Sequence, residues 1–336
     1  MRPLILITAI LGTFAVAFAL TPAVSALARR LKIYDLPGER KVHTVETPRL
    51  GGIAVFIALS LALAATAIPG VASRLILGVR VEYIRILFEG ALAFFLLGLI
   101  DDFRPLPAQL KLVIQFAIAL VVASYGYRIE ALLGTVHLPM PVAVGLTAFW
   151  IVGIVNTINF IDGLDGLAAG VSLISSIAFF TLALIRGDSL SGFIAAVTIG
   201  SLLGFLPFNF HPARVFLGDS GSYTLGFFLA STSILGLFKQ ITLLTIFLPV
   251  LILAFPIADT AFAIIRRMRR GIPVTRPDKR HIHHRVLFLL MRRYRRTIGN
   301  GNGMNLDALA HRNAVLWLYG VGFAFAALAV LLGIKG

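Results

Sequence analysis

Ten apolar stretches, each near the length a helix needs to cross a membrane, take up most of this 336-residue chain. They run Pro3–Leu27, Gly51–Pro69, Val81–Ile100, Ala108–Gly126, Pro139–Val155, Leu167–Ile185, Leu190–Phe208, Tyr223–Phe238, Ile241–Ile265 and Ala314–Ile334. Crossing the hydrocarbon layer takes about 18 to 25 mostly apolar residues in a helix, which satisfies its own backbone there. Only 13% of the residues are charged, against roughly 25% in a soluble domain, and no polar linker divides the chain. The expected fold class is all-α: a single polytopic integral membrane domain over 1–336, with about ten transmembrane helices. Cysteine is absent, which excludes disulfide scaffolds, Cys-ligated zinc and thiol chemistry. The first stretch outruns the apolar core of a signal peptide and is followed by Arg29-Arg30, so it reads as an anchor.

The 30 basic residues outnumber the 15 acidic ones, for a formal charge of +15. Loops after the odd-numbered stretches, together with Lys111 at the edge of the fourth, carry 22 of those 30, and an excess of Lys and Arg marks the cytoplasmic side. Both termini are therefore expected outside the cytoplasm, with long cytoplasmic loops over 28–50 and 266–313. In the second loop, His284–Arg296 has an apolar centre flanked by Arg, which suits a helix lying on an anionic membrane surface. The positive charge is thus read as a topology signal and as contact with membrane lipids, with no nucleic-acid partner. Arg186-Gly187-Asp188 and Lys239-Gln240 read as tight outer turns.

Acidic groups at membrane depth are costly and mark functional sites by default. Here they gather on the expected cytoplasmic face, in four loops. Asp101 and Asp102 are adjacent carboxylates, fit for a general base or a cation site, although a solvated helix end would look the same. Asn156, Asn159, Asp162 and Asp165 follow at three-residue spacing, so one straight helix cannot aim all four inward. Gly163 and Gly166 would let the chain leave the helix. Oxygen donors of this kind suit Mg, or Mn.

Asp219 lies in Gly218-Asp219-Ser220-Gly221-Ser222. That string spells a serine-protease nucleophile motif, but no segment could supply the soluble β-barrel such an enzyme needs. A carboxylate at a glycine-flanked turn better suits metal or phosphate binding, with a helix N-cap as the plainer alternative. Arg280, His281, His283 and His284 set imidazoles among guanidinium groups; zinc-protease spacing is absent, and phosphate oxygens are the better match. Lys111, at the start of the fourth stretch, would pass alone for a snorkelling lysine. Together these groups have the makings of metal-assisted phosphoryl transfer: carboxylates for the metal, cations for the phosphates. No P-loop sequence occurs.

Taken in order, Arg40-Lys41-Val42-His43, Pro48-Arg49-Leu50-Gly51-Gly52, Leu99-Ile100-Asp101-Asp102, Asn156–Gly166, Phe216–Ser222, Pro256-Ile257-Ala258-Asp259-Thr260 and His281-Ile282-His283-His284 resemble the polyprenyl-phosphate N-acetylhexosamine-1-phosphate transferases, over nearly the whole chain. The interrupted His run is similar to the branch that uses UDP-GlcNAc. The branch acting on phospho-MurNAc-pentapeptide usually carries three consecutive His followed by an acidic aromatic pair, whereas here Ile282 interrupts the run and Arg285-Val286 follows it. The resemblance implies a bacterial plasma membrane enzyme that transfers N-acetylhexosamine-1-phosphate from a UDP-N-acetylhexosamine to undecaprenyl phosphate, releasing UMP and starting a cell-envelope glycan.

It further implies that Asp165 and Asp219 bind Mg2+, and that Asp101 and Asp102 activate the lipid phosphate, Asp101 being the better base. Lys111, Arg280, His281, His283 and His284 would meet the phosphates and sugar, and Asn156, Asn159 and Asp162 would shape the nucleotide pocket. Lys41, His43 and Arg49 would meet the lipid phosphate. Pro249 and Pro256 would bend the ninth span to leave a lipid groove. A homodimer is compatible with such a protein. Two other classes stay open. A secondary transporter would place its carboxylates near the midplane, and a membrane scaffold would leave the Asp and Asn clusters unexplained.

Overall fold

A computed structural model of the chain describes residues 3–35, 46–68, 81–132, 136–236, 243–271, 281–297 and 305–335. Among these are twelve helices: α1 (Pro3–Arg30), α2 (Gly51–Ala65), α3 (Val81–Phe103), α4 (Ala108–Ser124), α5 (Met140–Ile161), α6 (Leu167–Arg186), α7 (Ser189–Asn209), α8 (Gly218–Gly236), α9 (Leu243–Ile252), α10 (Ala254–Arg269), α11 (Ile282–Thr297) and α12 (Leu306–Lys335). The rest of the regular structure is two short antiparallel ribbons. β1 (Tyr34–Asp35) pairs with β2 (Thr47–Pro48), and β3 (Ala131–Leu132) pairs with β4 (Val136–His137).

Six helices are long and apolar enough to cross a membrane, namely α1, α3, α5, α6, α7 and α12; α2 and α4 are shorter apolar helices. The chain is a helical, multi-pass membrane protein. The region expected as a ninth span is broken at Leu253 (φ −97°, ψ 15°), between α9, which contains Pro249, and α10, which has Pro256 in its first turn. The last helix begins at Leu306 rather than Ala314, because its buried face already starts at Ala310 and His311. Between α6 and α7 the tight turn forms as expected. Gly187 adopts a left-handed φ of 68°, and Asp188 caps α7 by accepting the Leu190 and Ser191 N–H groups, both at 3.1 Å. Lys239-Gln240 lies outside the described residues.

α8 is the hub. Residues 220–235 are buried without interruption, and the helix packs against α2, α3, α5, α6 and α7. Small residues make this possible, as they do between helices in lipid. A Cβ on Gly98 of α3 would come within 2.4 Å of the Asp219 carbonyl oxygen, and one on Gly226 within 2.6 Å of the Val155 Cα. Both chains thus meet nearly backbone to backbone. Outward faces carry large apolar side chains, such as Leu4, Ile7 and Leu11 on α1, as a lipid-facing surface should. α11 forms where an interfacial helix was expected, burying Leu287 while Phe288 and Leu289 stay exposed.

Candidate active site

The polar loops converge at one end of α8, and backbone pairing brings them there. The Phe216 N–H donates to the Pro48 carbonyl at 2.8 Å; in return the Gly51 and Gly52 N–H groups donate to the Phe216 and Leu217 carbonyls at 2.9 and 2.8 Å. This short ladder puts Arg49 against the start of α8. Its Nε lies 3.2 Å from Asp102 Oδ1 and a terminal nitrogen lies 3.0 Å from Asp219 Oδ2. Burial works against the guanidinium charge, but Asp219, Asp102 and Asp35 together hold its proton more tightly than usual.

Asp101 and Asp102 end α3 and are both buried, yet they diverge. Asp101 accepts the Leu106 N–H and the Lys111 ammonium, each at 2.7 Å. Asp102 turns the other way and caps α8 from outside that helix. It accepts the Asp219 N–H at 2.7 Å, the Ser220 N–H at 3.0 Å and the Ser220 hydroxyl at 2.7 Å, satisfying donors that a helix start leaves free. Asp219 then accepts Asn159 Nδ2 at 2.7 Å, and its side chain also interacts with that of Asp101. Asn156 sits one turn earlier in α5 and donates to Gln115 of α4 at 2.6 Å.

Past Asn159 the chain leaves α5 at Asp162 and re-enters a helix after Gly166, whose φ of 76° is left-handed. Asp162 is half-buried. Burial, and then the Asp219 charge, push its carboxyl up to about 8, against the pull of Arg49. Asp165 faces elsewhere. It accepts His211 Nδ1 at 2.7 Å and the Ala213 N–H at 3.1 Å, while its own N–H donates to His311 Nε2 at 3.1 Å. Burial alone would raise its pKa, but the His211 hydrogen bond and the nearby His311 hold it below the usual carboxylate range. The two rings stack 4.1 Å apart.

The third group is built on α10. Asp259, fully buried, accepts His281 Nδ1 at 3.1 Å and His283 Nδ1 at 2.9 Å, and also the Ile282 N–H. His281, His283 and His284 line a cavity of about 940 Å3 together with Lys111, Asn156, Asn159, Gly163 and Arg267. Leu112, Phe116, Phe149, Trp150, Ile257, Ala261 and Ile264 line the rest of it. From Asn159 to Phe149 it follows α5 for about 15 Å, at 1.5 Å per residue. The cavity therefore joins a charged end to an apolar trough between α4, α5 and α10.

Of the residues singled out in the sequence, Asp101, Asp102, Asp219, Arg49, Lys111 and Asn159 form one connected network, and Asn156 and the three His share a cavity with Lys111 and Asn159. Lys41, His43 and Arg280 lie outside the described residues. Sequence reasoning gave no role to Asp259, His211, His311, Gln115 or Ser220. For Asp259 a signal existed, a carboxylate within an apolar stretch. For His211 and His311 there was none, since their tie to Asp165 spans 46 and 146 residues.

Among the described residues, Asp165 with His211 and His311, and Asp259 with His281 and His283, bring three donor atoms close enough together to hold a cation. Both groups mix nitrogen and oxygen donors; in the first, Asp165 already accepts His211 Nδ1 and the Ala213 N–H, while His211 Nε2 is buried without a hydrogen-bond partner. Asp219, with Asp162, Asp101 and Asn159 near it, offers oxygen donors only, a chemistry that suits Mg2+; burial, more than the neighbouring charge, raises the Asp162 carboxyl.

A profile for glycosyl transferase family 4 matches residues 84–237. A protein of Bacillus subtilis (strain 168), named as a probable undecaprenyl-phosphate N-acetylglucosaminyl 1-phosphate transferase, is 37% identical over 342 residues, covering 98% of this chain and 86% of the relative. The decaprenyl-phosphate N-acetylglucosaminephosphotransferase of Mycobacterium tuberculosis H37Rv is 38% identical over 298 residues, covering 81% of this chain and 73% of its own. A phospho-N-acetylmuramoyl-pentapeptide-transferase of Staphylococcus saprophyticus is 30% identical over 261 residues, covering 72% and 78%.

Proposed function

This chain belongs to glycosyl transferase family 4, and on that premise we propose that it transfers GlcNAc-1-phosphate from UDP-GlcNAc to undecaprenyl phosphate at the cytoplasmic face of a bacterial plasma membrane. The observation that carries the reading is the cavity itself. Lys111, Asn159, His281 and His283 stand at one end, and an apolar trough of about 15 Å leads away from them. An amphiphile with a phosphate head and a long hydrocarbon tail uses both parts; a soluble metabolite would leave the trough idle. The relatives that cover 98% and 81% of this chain carry N-acetylglucosaminyl names, against 72% and lower identity for the muramoyl-pentapeptide enzyme, which supports GlcNAc over the muramoyl-pentapeptide donor.

In the reaction, a phosphate oxygen of the lipid attacks the β-phosphorus of the donor. The bond from that phosphorus to the bridging oxygen breaks, and UMP leaves with the electron pair. Lys111 balances the charge of the incoming phosphate while Asp101, fixed by Leu106 and Lys111, takes up whatever proton the monoester still carries. The imidazoles of His281, His283 and His284 meet the donor diphosphate. Asp102 keeps α8 and Arg49 in register, so that Asp219 faces Asn159. Asp219, with Asp162 and Asn159 beside it, would hold Mg2+, which supplies charge neutralisation at the diphosphate. Asp165 would join them only by exchanging its His211 and Ala213 partners.

The test is UMP release by purified protein in detergent, with UDP-GlcNAc and undecaprenyl phosphate each omitted in turn and EDTA replacing Mg2+ in one sample. Release is expected only when both substrates and the metal are present. Release with a different UDP-N-acetylhexosamine alone would move the sugar assignment, and silence with every donor from folded protein would end the transferase reading.

A further inference from the structure

Asp259 has no place in the reaction as written, yet few carboxylates in the described structure are so completely enclosed. It is 0% exposed on α10, and its hydrogen-bond partners are two imidazoles and a backbone N–H. Oδ1 takes the Ile282 N–H, which clamps the start of α11. Oδ2 takes Nδ1 of both His281 and His283. A buried carboxylate without partners would be very costly; here three donors from one short segment converge on it.

This arrangement orients both imidazoles. With Nδ1 committed to Asp259, the remaining nitrogen of each ring is Nε2. His283 Nε2 is buried and has no hydrogen-bond partner, although the residue lines the cavity. It rests against Gly163, where a Cβ would approach it to 2.8 Å. A neutral ring bound in this way would turn a lone pair towards the cavity and repel phosphate oxygens. Burial holds the His283 imidazole below its usual pKa against the pull of Asp259; an anion arriving at Nε2 adds a second negative neighbour and favours the imidazolium, which donates from both nitrogens at once. The carboxylate thus sets the direction of the ring and supports the charge that anion binding calls for, as outer partners do for metal-bound His.

We propose that Asp259 is a positioning residue for the nucleotide-sugar donor: it holds His281 and His283 so that their Nε2 atoms face the cavity and receive the donor's diphosphate. This rests on the transferase reading above. Asp259 does not touch substrate and acts through the two rings.

The measurement is initial-rate UMP release by the full-length protein, varying UDP-GlcNAc and undecaprenyl phosphate separately. Asp259→Asn keeps the size of the side chain but removes its charge. Its donor KM is expected to rise about tenfold, in line with losses seen when outer partners of a ligand His are removed, with the acceptor KM within about twofold. In the double variant with His283→Ala, the loss should be smaller than the product of the two single losses, because Asp259 acts in part through His283. Losses that multiply, or a fall in kcat with the donor KM unchanged, would overturn the proposal. Should Asp259→Asn fail to fold, 15N-histidine NMR of the wild-type protein decides. Two imidazoles protonated at Nδ1 support the assignment, and rings protonated only at Nε2 overturn it. Wild-type protein that releases no UMP would defeat the transferase reading instead, and the NMR result would still report on Asp259.

Discussion

Around Arg49, the carboxylates of Asp35, Asp102 and Asp219 share a single guanidinium, and Asp162 is pushed up to about 8 by burial and by its neighbour's charge. Around Asp259 the ratio is reversed, with one carboxylate serving two imidazoles and a backbone N–H. Both groups reach the same cavity, the first through Asn159 and Lys111, the second directly. The difference teaches what each side is built to receive. A site with surplus carboxylate lowers its energy by taking a cation, and on the proposal above the imidazoles oriented by Asp259 meet the anion that comes with it. A metal-bound diphosphate would satisfy both at once.

The sharpest way to break that comparison is Asp219→Ala. If the carboxylate side carries the metal and the transferring phosphorus, kcat should fall on the order of 10^3-fold, the scale seen when a charge-stabilising group is removed from an active site. His283→Ala should act chiefly on donor KM. Equal modest losses from both, measured as UMP release, would mean that the two sides are not specialised.

Steric probes sharpen the same contrast at intermediate size. Gly98→Ala would drive a Cβ to 2.4 Å from the Asp219 carbonyl oxygen, in backbone that cannot yield. Overpacking of this kind costs about 1–3 kcal/mol, so a lower melting temperature together with lost kcat is expected. Gly163→Ala instead meets His283 Nε2, the end of a side chain, and should raise donor KM with little change in melting. Gly145, with nothing within 4 Å, serves as the neutral control. Identical effects at Gly98 and Gly163 would remove the distinction.

The smallest expected effect is on stability against pH in metal-free protein. Asp162 rises from 3.8 to about 8 on folding, so the folded state binds the proton more tightly than the unfolded state. Its contribution is present below about pH 4 and is lost as pH rises towards 8. Melting temperature in EDTA should therefore drift down between pH 5 and pH 8, and Asp162→Asn should flatten the drift. An unchanged slope in the variant would show that Asp162 does not carry the pH dependence, and that neither burial nor the Asp219 charge raises its carboxyl.

Much of the site was legible in the residues because its motifs are short and local: Asp101-Asp102, the Asn156–Asp165 run, the His281–His284 segment. Even the exit from α5 was readable, since Gly163 and Gly166 signal a turn that charged residues alone would not. Less legible was the length of the helices. α2 and α4 are shorter than a full span, and the ninth apolar stretch divides at Leu253. Apolar composition continues past helix ends in a membrane protein, so it does not say where a helix stops.

The amino-acid sequence by itself determined that the chain is a helical membrane protein, because long apolar runs with few charges have no other stable home. It also determined which residue types gather near the helix ends. Only the tertiary structure decided who partners whom. Adjacent Asp101 and Asp102 part ways, one to Lys111 and one to Ser220, 118 positions further along the chain. Asp165 turns to His211 and His311, and the His segment closes on Asp259. Periodicity constrains a residue's face within its own helix, whereas a buried carboxylate's partner depends on which helices α8 and α10 pack against.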